Sequence, residues 1–127
     1  MSVESVRVSK EARDQLITLK RRTGIAHWNV LCRWAFCVSL AEPSRPRKRT
    51  ITTDSSVEMT WRTFGGEYEG LYRALLCERC HLDGLRLDTT TLSEQFRLHL
   101  HRGIAYLAGS RSLKDIASLI LKAGRRE

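Results

Sequence analysis

The side chains best suited to metal or redox chemistry stand together at Cys77-Glu78-Arg79-Cys80-His81. A CxxC beside an imidazole is the donor set that binds zinc or cycles between dithiol and disulfide. The rest of the sequence does not complete such a site. A structural zinc centre needs four ligands, and Cys32 and Cys37 lie five apart within an apolar segment instead of at a knuckle-like turn. A redox CxxC opens a helix, where the dipole lowers the thiol pKa, whereas this pair falls late in an amphipathic stretch. Cys80 shares that stretch's apolar face and reads as core packing, so no metal and no cofactor is expected.

The other candidates are weaker. His99 and His101 are two apart, which on a helix points them to different sides, and they read as solvated histidines beside a polyanion. Asp83 and Asp88 flank a glycine turn and read as a solvated loop rather than a magnesium pair. There is no nucleophile elbow, phosphate-binding glycine loop or HExxH motif. The chain is therefore not expected to be an enzyme.

Basic residues are the stronger lead. The 127-residue chain has 22 Lys and Arg against 14 Asp and Glu, a formal charge of +8. Such an excess suits a polyanion, because Lys and Arg neutralise phosphates and release condensed counterions. The charges concentrate in Lys20-Arg21-Arg22 and in Arg45, Arg47, Lys48 and Arg49, with Lys10, Arg111, Lys114 and Lys122 as scattered additions. Four cations within five residues repel one another unless an anion or solvent relieves them. No apolar run approaches the ~20 residues of a membrane span, and Met1-Ser2-Val3-Glu4 lacks the layout of a signal peptide. A cytoplasmic protein with reduced thiols and no membrane partner is expected.

The elements that must position these groups follow from periodicity, and the length suits a single domain over residues 1–127. Residues 3–8 alternate as a short strand with Val6 and Val8 on one face, which leaves Arg7 on the other. Ser9 caps a helix whose Ala12, Leu16 and Leu19 share a face, and Gly24 ends it after a basic last turn. A second helix, residues 27–41, has Arg33 as its only charge, so protein must cover most of its circumference. A core position and packing against another copy through Trp28, Leu31 and Ala35 both meet that need. Residues 42–56 form a basic surface loop between Pro43, Pro46 and a Thr-Ser run. Residues 57–64 read as a second extended segment closed by Gly65-Gly66. Helices are expected from Glu67 to Gly84, from a capping box at Thr91-Leu92-Ser93-Glu94 to Gly109, and from Ser112, with Leu113, Ile116, Ala117 and Ile120 facing inward. The fold class is mainly α: a short N-terminal strand followed by about five helices.

The order of strand, helix, glycine turn and apolar helix resembles the ribbon-helix-helix arrangement of Met-repressor-like proteins. That likeness implies strands paired between two copies and Arg7 on an exposed ribbon that reads bases, the role of a sequence-specific transcriptional regulator. Over nearly the whole chain the sequence resembles the family of the DNA sulfur modification protein DndE. The resemblance rests on Val6-Arg7-Val8-Ser9-Lys10-Glu11-Ala12, on Lys20-Arg21-Arg22-Thr23-Gly24-Ile25 and on Trp28-Asn29-Val30-Leu31-Cys32-Arg33-Trp34-Ala35. Trp61-Arg62-Thr63-Phe64-Gly65-Gly66-Glu67-Tyr68 and Leu98-His99-Leu100-His101-Arg102-Gly103-Ile104 carry it further.

It implies a DNA-binding accessory subunit of a bacterial phosphorothioation complex, which replaces a non-bridging phosphate oxygen with sulfur. Cysteine supplies that sulfur through a separate desulfurase, and other subunits supply the iron-sulfur and ATP-dependent chemistry. It also implies a homotetramer that favours nicked duplex DNA. Lys10, Lys20 and, less directly, Lys48 are the implied DNA contacts, and Gly24 lies in a turn implied in assembly. The full expected DNA surface is Arg7, Lys10, Lys20, Arg21, Arg22, Arg45, Arg47, Lys48 and Arg49.

Overall fold

In the computed structural model, which describes residues 5–110 and 120–121, the chain opens with strand β1, Ser5–Arg7. Its Val6 is buried between exposed Ser5 and Arg7, as the alternation requires. The Ser9 hydroxyl then accepts the Ala12 N–H at 3.0 Å and starts α1, Lys10–Thr23, which buries Ala12, Leu16 and Leu19. Gly24 ends it at φ +76°, a left-handed position that a side chain would strain, with its N–H on the Lys20 carbonyl. Helix α2 follows as Trp28–Ala41.

After the loop, β2, Glu58–Thr60, runs antiparallel to β1 with Val6 opposite Met59 and Arg7 opposite Glu58. The ribbon is thus closed within one chain, and β1 does not need the strand of another copy that a ribbon-helix-helix dimer would supply. The expected extended segment is shorter than residues 57–64. Thr60 accepts the Thr63 N–H and turns the chain into α3, Trp61–Gly65, which buries Trp61 and Phe64.

A short 3-10 turn, Gly66–Tyr68, leads into α4, Glu69–Leu82. Helix α5, Thr89–Gly109, starts before the expected capping box, because the Asp88 carboxylate takes the Thr91 N–H at 2.8 Å. A carboxylate there also faces the positive end of the helix dipole. The fold is mainly helical, with four long helices and the short α3 among the described residues. The expected helix from Ser112 lies outside them, except for helical and exposed Ile120 and Leu121.

Helix α5 is the spine of the core and packs against α1, α4 and, most extensively, α2. Gly103 permits the last contact: a Cβ there would collide with the Ala35 backbone. Leu31 and Ala35 have no exposed surface. The part of α2 expected to meet another copy is thus occupied by α5 of the same chain, and these two residues offer no oligomer surface. Beside this contact Phe36, Trp61, Phe64 and Phe96 form an aromatic cluster with ring centroids 5.1 to 5.7 Å apart. Edge-on and tilted rings at such spacing add about 0.5–1.5 kcal/mol per pair beyond burial.

Gly103→Ala should lose about 3 kcal/mol of stability in urea denaturation, because the helices must part to admit a methyl group. Gly70→Ala, on α4 with nothing within 4 Å of the added carbon, should gain about 0.5 kcal/mol. Equal effects would show that α2 and α5 are not in close contact at residue 103.

Candidate nucleic-acid interface

The loop bearing Arg45, Arg47, Lys48 and Arg49 begins at a buried arginine clamp. Helix α2 has no basic residue in its last turn, so its C-terminal carbonyls need cations from elsewhere. Arg79 of α4 supplies one. Its Nη1 donates to the carbonyls of Leu40 (2.9 Å) and Glu42 (2.8 Å), and its Nη2 to those of Pro43 (3.2 Å) and Ser44 (2.7 Å). Nε holds Asp83 at 3.0 Å, which commits all five N–H groups of the guanidinium. Arg102 of α5 supplies the second cation through the Ser39 hydroxyl and carbonyl, both at 2.8 Å, and the Ser44 carbonyl at 2.9 Å.

The loop's other end is fixed to the ribbon and α1. Asp54 accepts the Lys10 N–H at 3.0 Å, and the Ser55 hydroxyl donates to the Val8 carbonyl at 2.7 Å. The four cations between these anchors lie at the surface, as expected of a basic loop, and none has an acidic partner among the described residues.

The structure divides the remaining expected DNA residues. Lys10 and Arg21 are exposed. Arg7 is engaged within the chain, with Nη2 2.8 Å from Glu58 and Nη1 on the Ser55 carbonyl at 3.0 Å. Lys20 lies 4.6 Å from the ring centre of Trp28, a cation–π contact across the Gly24 turn. Arg22 donates to the Ala108 carbonyl at the end of α5 at 3.1 Å. Lys10 and Lys20 stand about 15 Å apart along α1, so Lys10 belongs with the loop and the Lys20 group is a separate patch.

Both histidines are buried, contrary to the solvated reading, because the packing of α5 turns them toward α2 and α1. His101 Nε2 accepts the Ser9 N–H at 3.1 Å and Nδ1 donates to the Arg97 carbonyl at 2.8 Å. Burial holds its pKa below the usual value, and nearby Arg49 and Arg97 lower it further. The Ser39 hydroxyl lies 2.8 Å from His99 Nδ1 and also accepts from Arg102 Nε, while the buried His99 Nε2 has no hydrogen-bond partner among the described residues. Burial, then Arg102 and Arg79, push His99 down to about 4.

Cys32 and Cys80 are packing residues. Cys80 lies in the core as expected, and burial raises its thiol to about 11 and that of Cys32 to about 12, which keeps both protonated at neutral pH. Asp83 and Asp88 are occupied by Arg79 and the α5 cap. No group of three or more His, Cys, Asp or Glu stands together to hold a metal, and no helix is long and apolar enough to cross a membrane, among the described residues.

Sequence reasoning missed Arg79, Arg102 and Arg97. The first two read as ordinary charges on amphipathic helices, since the carbonyls they bind lie 35 to 63 positions away. Arg97 could have been placed on the outer side of α5 by helical period alone, but its place opposite Arg7 and Glu58 of the ribbon could not.

Comparison with known proteins gives consistent results. A family model described as DNA sulphur modification protein DndE matches residues 5–115. No curated protein matches the chain. The chain is similar to the crystal structure of DndE from Escherichia coli B7A, described as involved in DNA phosphorothioation modification. The TM-score is 0.70 at 27% identity, over 84% of this chain and 98% of that one. It also shares its fold with a glycine-to-lysine mutant of DndE involved in DNA phosphorothioation. There the TM-score is 0.67 at 22% identity, over 86% of this chain and 100% of the other.

His99 makes stability depend on pH. Its folded pKa of about 4 lies below the ordinary 6.5, so the unfolded chain binds the proton more tightly. The neutral imidazole's contribution is complete above pH 6.5 and disappears as the pH falls from 6.5 to 4. Urea midpoints across that range should decline, and His99→Gln should flatten the decline. An unchanged slope in the variant would assign the pH dependence to other groups.

Proposed function

The chain belongs to the DndE family of DNA sulphur modification proteins, and from that premise we propose that it is a DNA-binding accessory subunit of a DNA phosphorothioate modification complex. The observation that carries this reading is the surface run of Arg45, Arg47, Lys48 and Arg49, anchored at both ends and unpaired with any acid among the described residues. Such a segment offers phosphates a preset row of cations at little ordering cost. Lys10 extends the row, and Lys20 with Arg21 forms a second contact patch.

In this reading the subunit binds and positions duplex and leaves catalysis to partner subunits, since its buried thiols are protonated and Asp83 and Asp88 are committed. Nicked duplex is favoured because a nick lowers the energy of bending DNA onto a basic surface. A regulator that reads bases through Arg7 has less support, because the ribbon is closed within the chain and Glu58 and Ser55 hold Arg7.

The working form is a homo-oligomer, a tetramer. Its support is the apolar surface left at Tyr68 and on α4, where Tyr68, Leu71 and Leu75 are 58%, 55% and 38% exposed at helical spacing. Partly exposed Trp34 and Val38 on α2 add to it. Gly24 and Trp28, at the α1–α2 turn, complete the proposed assembly surface.

Changing Arg45, Arg47, Lys48 and Arg49 together to Gln should weaken duplex binding at least about tenfold and reduce the salt slope by about 3, read by fluorescence anisotropy. The unmodified protein should bind a nicked duplex more tightly than an intact one of the same sequence. If loop neutralisation leaves the affinity unchanged, the loop is not the interface. Leu71→Glu with Leu75→Glu should reduce the oligomer to smaller species in light scattering, and an unaltered mass would exclude the α4 surface from assembly.

A further inference from the structure

Between the ribbon and α5 lies a cleft of about 330 Å3. Ser5, Thr53 and Ser93 line it with hydroxyls, and Arg7, Glu58 and Arg97 line it with charge. Buried Phe96 and Leu100 close its apolar side. Glu58, 2.8 Å from Arg7, neutralises one cation, so the charge left over is that of Arg97. The Arg97 guanidinium has no hydrogen-bond or ion-pair partner among the described residues, and neither do the three hydroxyls.

Three uncommitted hydroxyls around a free guanidinium supply donors from several directions, which is how a tetrahedral oxyanion is held. The apolar wall lowers the local dielectric and strengthens the charge-assisted bonds. The cleft also borders the loop that carries the basic run, since Thr53 near the end of that loop lines it.

We infer that this cleft is a phosphate site, in which Arg97 supplies the charge and Ser93 and Thr53 the accessory hydrogen bonds. The phosphate is a backbone group of bound duplex or a free phosphate ion. In the first case the inference rests on the duplex-binding reading and adds Arg97 to its contact surface. Glu58 sets the affinity by competing for Arg7. Losing that ion pair costs the fold little, because both side chains are 42% exposed.

The test is a titration of the full-length protein with inorganic phosphate at constant ionic strength, followed by amide NMR. Saturable shifts should centre on Thr53, Ser93 and Arg97. Arg97→Gln should weaken binding about tenfold, as expected for a lost charged hydrogen bond. Glu58→Gln should tighten it, and Arg86→Gln, at an exposed position outside the cleft, should change nothing.

Adding intact duplex distinguishes the two sources. Displacement of phosphate by duplex, with weaker duplex binding in Arg97→Gln, supports a backbone phosphate. Phosphate that stays bound beside duplex supports a free ion. Absent shifts, shifts spread over every basic segment, or no effect of Arg97→Gln on phosphate would overturn the inference. If Arg97→Gln leaves both ligands unaffected while loop neutralisation abolishes duplex binding, the cleft fails and the duplex reading stands. If phosphate binds in the cleft of a protein that binds no duplex, the duplex reading fails and the cleft stands.

Discussion

Gly103 brings the backbone of α5 against the Ala35 carbonyl of α2, closer than any side chain at residue 103 would permit. One helical turn from that contact, along each helix in opposite directions, Ser39 meets His99; one turn the other way, Leu31 and Leu107 are both buried. A single antiparallel register therefore places the Ser39 hydroxyl between His99 and Arg102. The polar junction at the end of α2 depends on this apolar contact at its middle. A wider separation would cost packing and also break the bonds that hold residues 39–44.

Those bonds explain how a segment of like charges is presented without a long ordered element of its own. Two arginines, Arg79 and Arg102, are committed to the carbonyls where the loop departs. At the other end Asp54 and Ser55 tie the loop to the start of α1 and to the ribbon. The middle is left to solvent and to whatever anion approaches. Basic residues thus serve two separate purposes here. Some satisfy helix ends, as Arg22 does for the last turn of α5. Others, the side chains of Lys10 and the loop cations, form no ion pair among the described residues.

The buried polar groups are linked to the same junction. His99 keeps an unpartnered Nε2 in the core, a cost of order 1–3 kcal/mol that a close-packed hydrophobe would avoid. Its Nδ1 lies 2.8 Å from the Ser39 hydroxyl, whose oxygen also accepts from Arg102. His101 makes the corresponding link to α1 through the Ser9 N–H, so two residues that sequence spacing merely separates tie α5 to two different helices.

Local physics is legible in the sequence. Ser9, Gly24 and the apolar stripe of α1 specify that helix, because caps and periodicity act within a few residues. The dense charge of residues 45–49 and the apolar character of α2 are equally plain. The motifs at residues 6–12, 20–35 and 61–68 carry the family unaided, since order and residue type suffice for a resemblance. What required the tertiary structure was every decision about partners distant in sequence. Pattern alone could not say that β1 pairs with β2 of its own chain, or that α5 rather than another copy covers Leu31 and Ala35. Nor could it say which cations are committed to carbonyls and which, like Arg97, remain free. Charge and hydropathy are properties of a residue, whereas burial and pairing belong to its neighbours, and here those neighbours lie dozens of positions away.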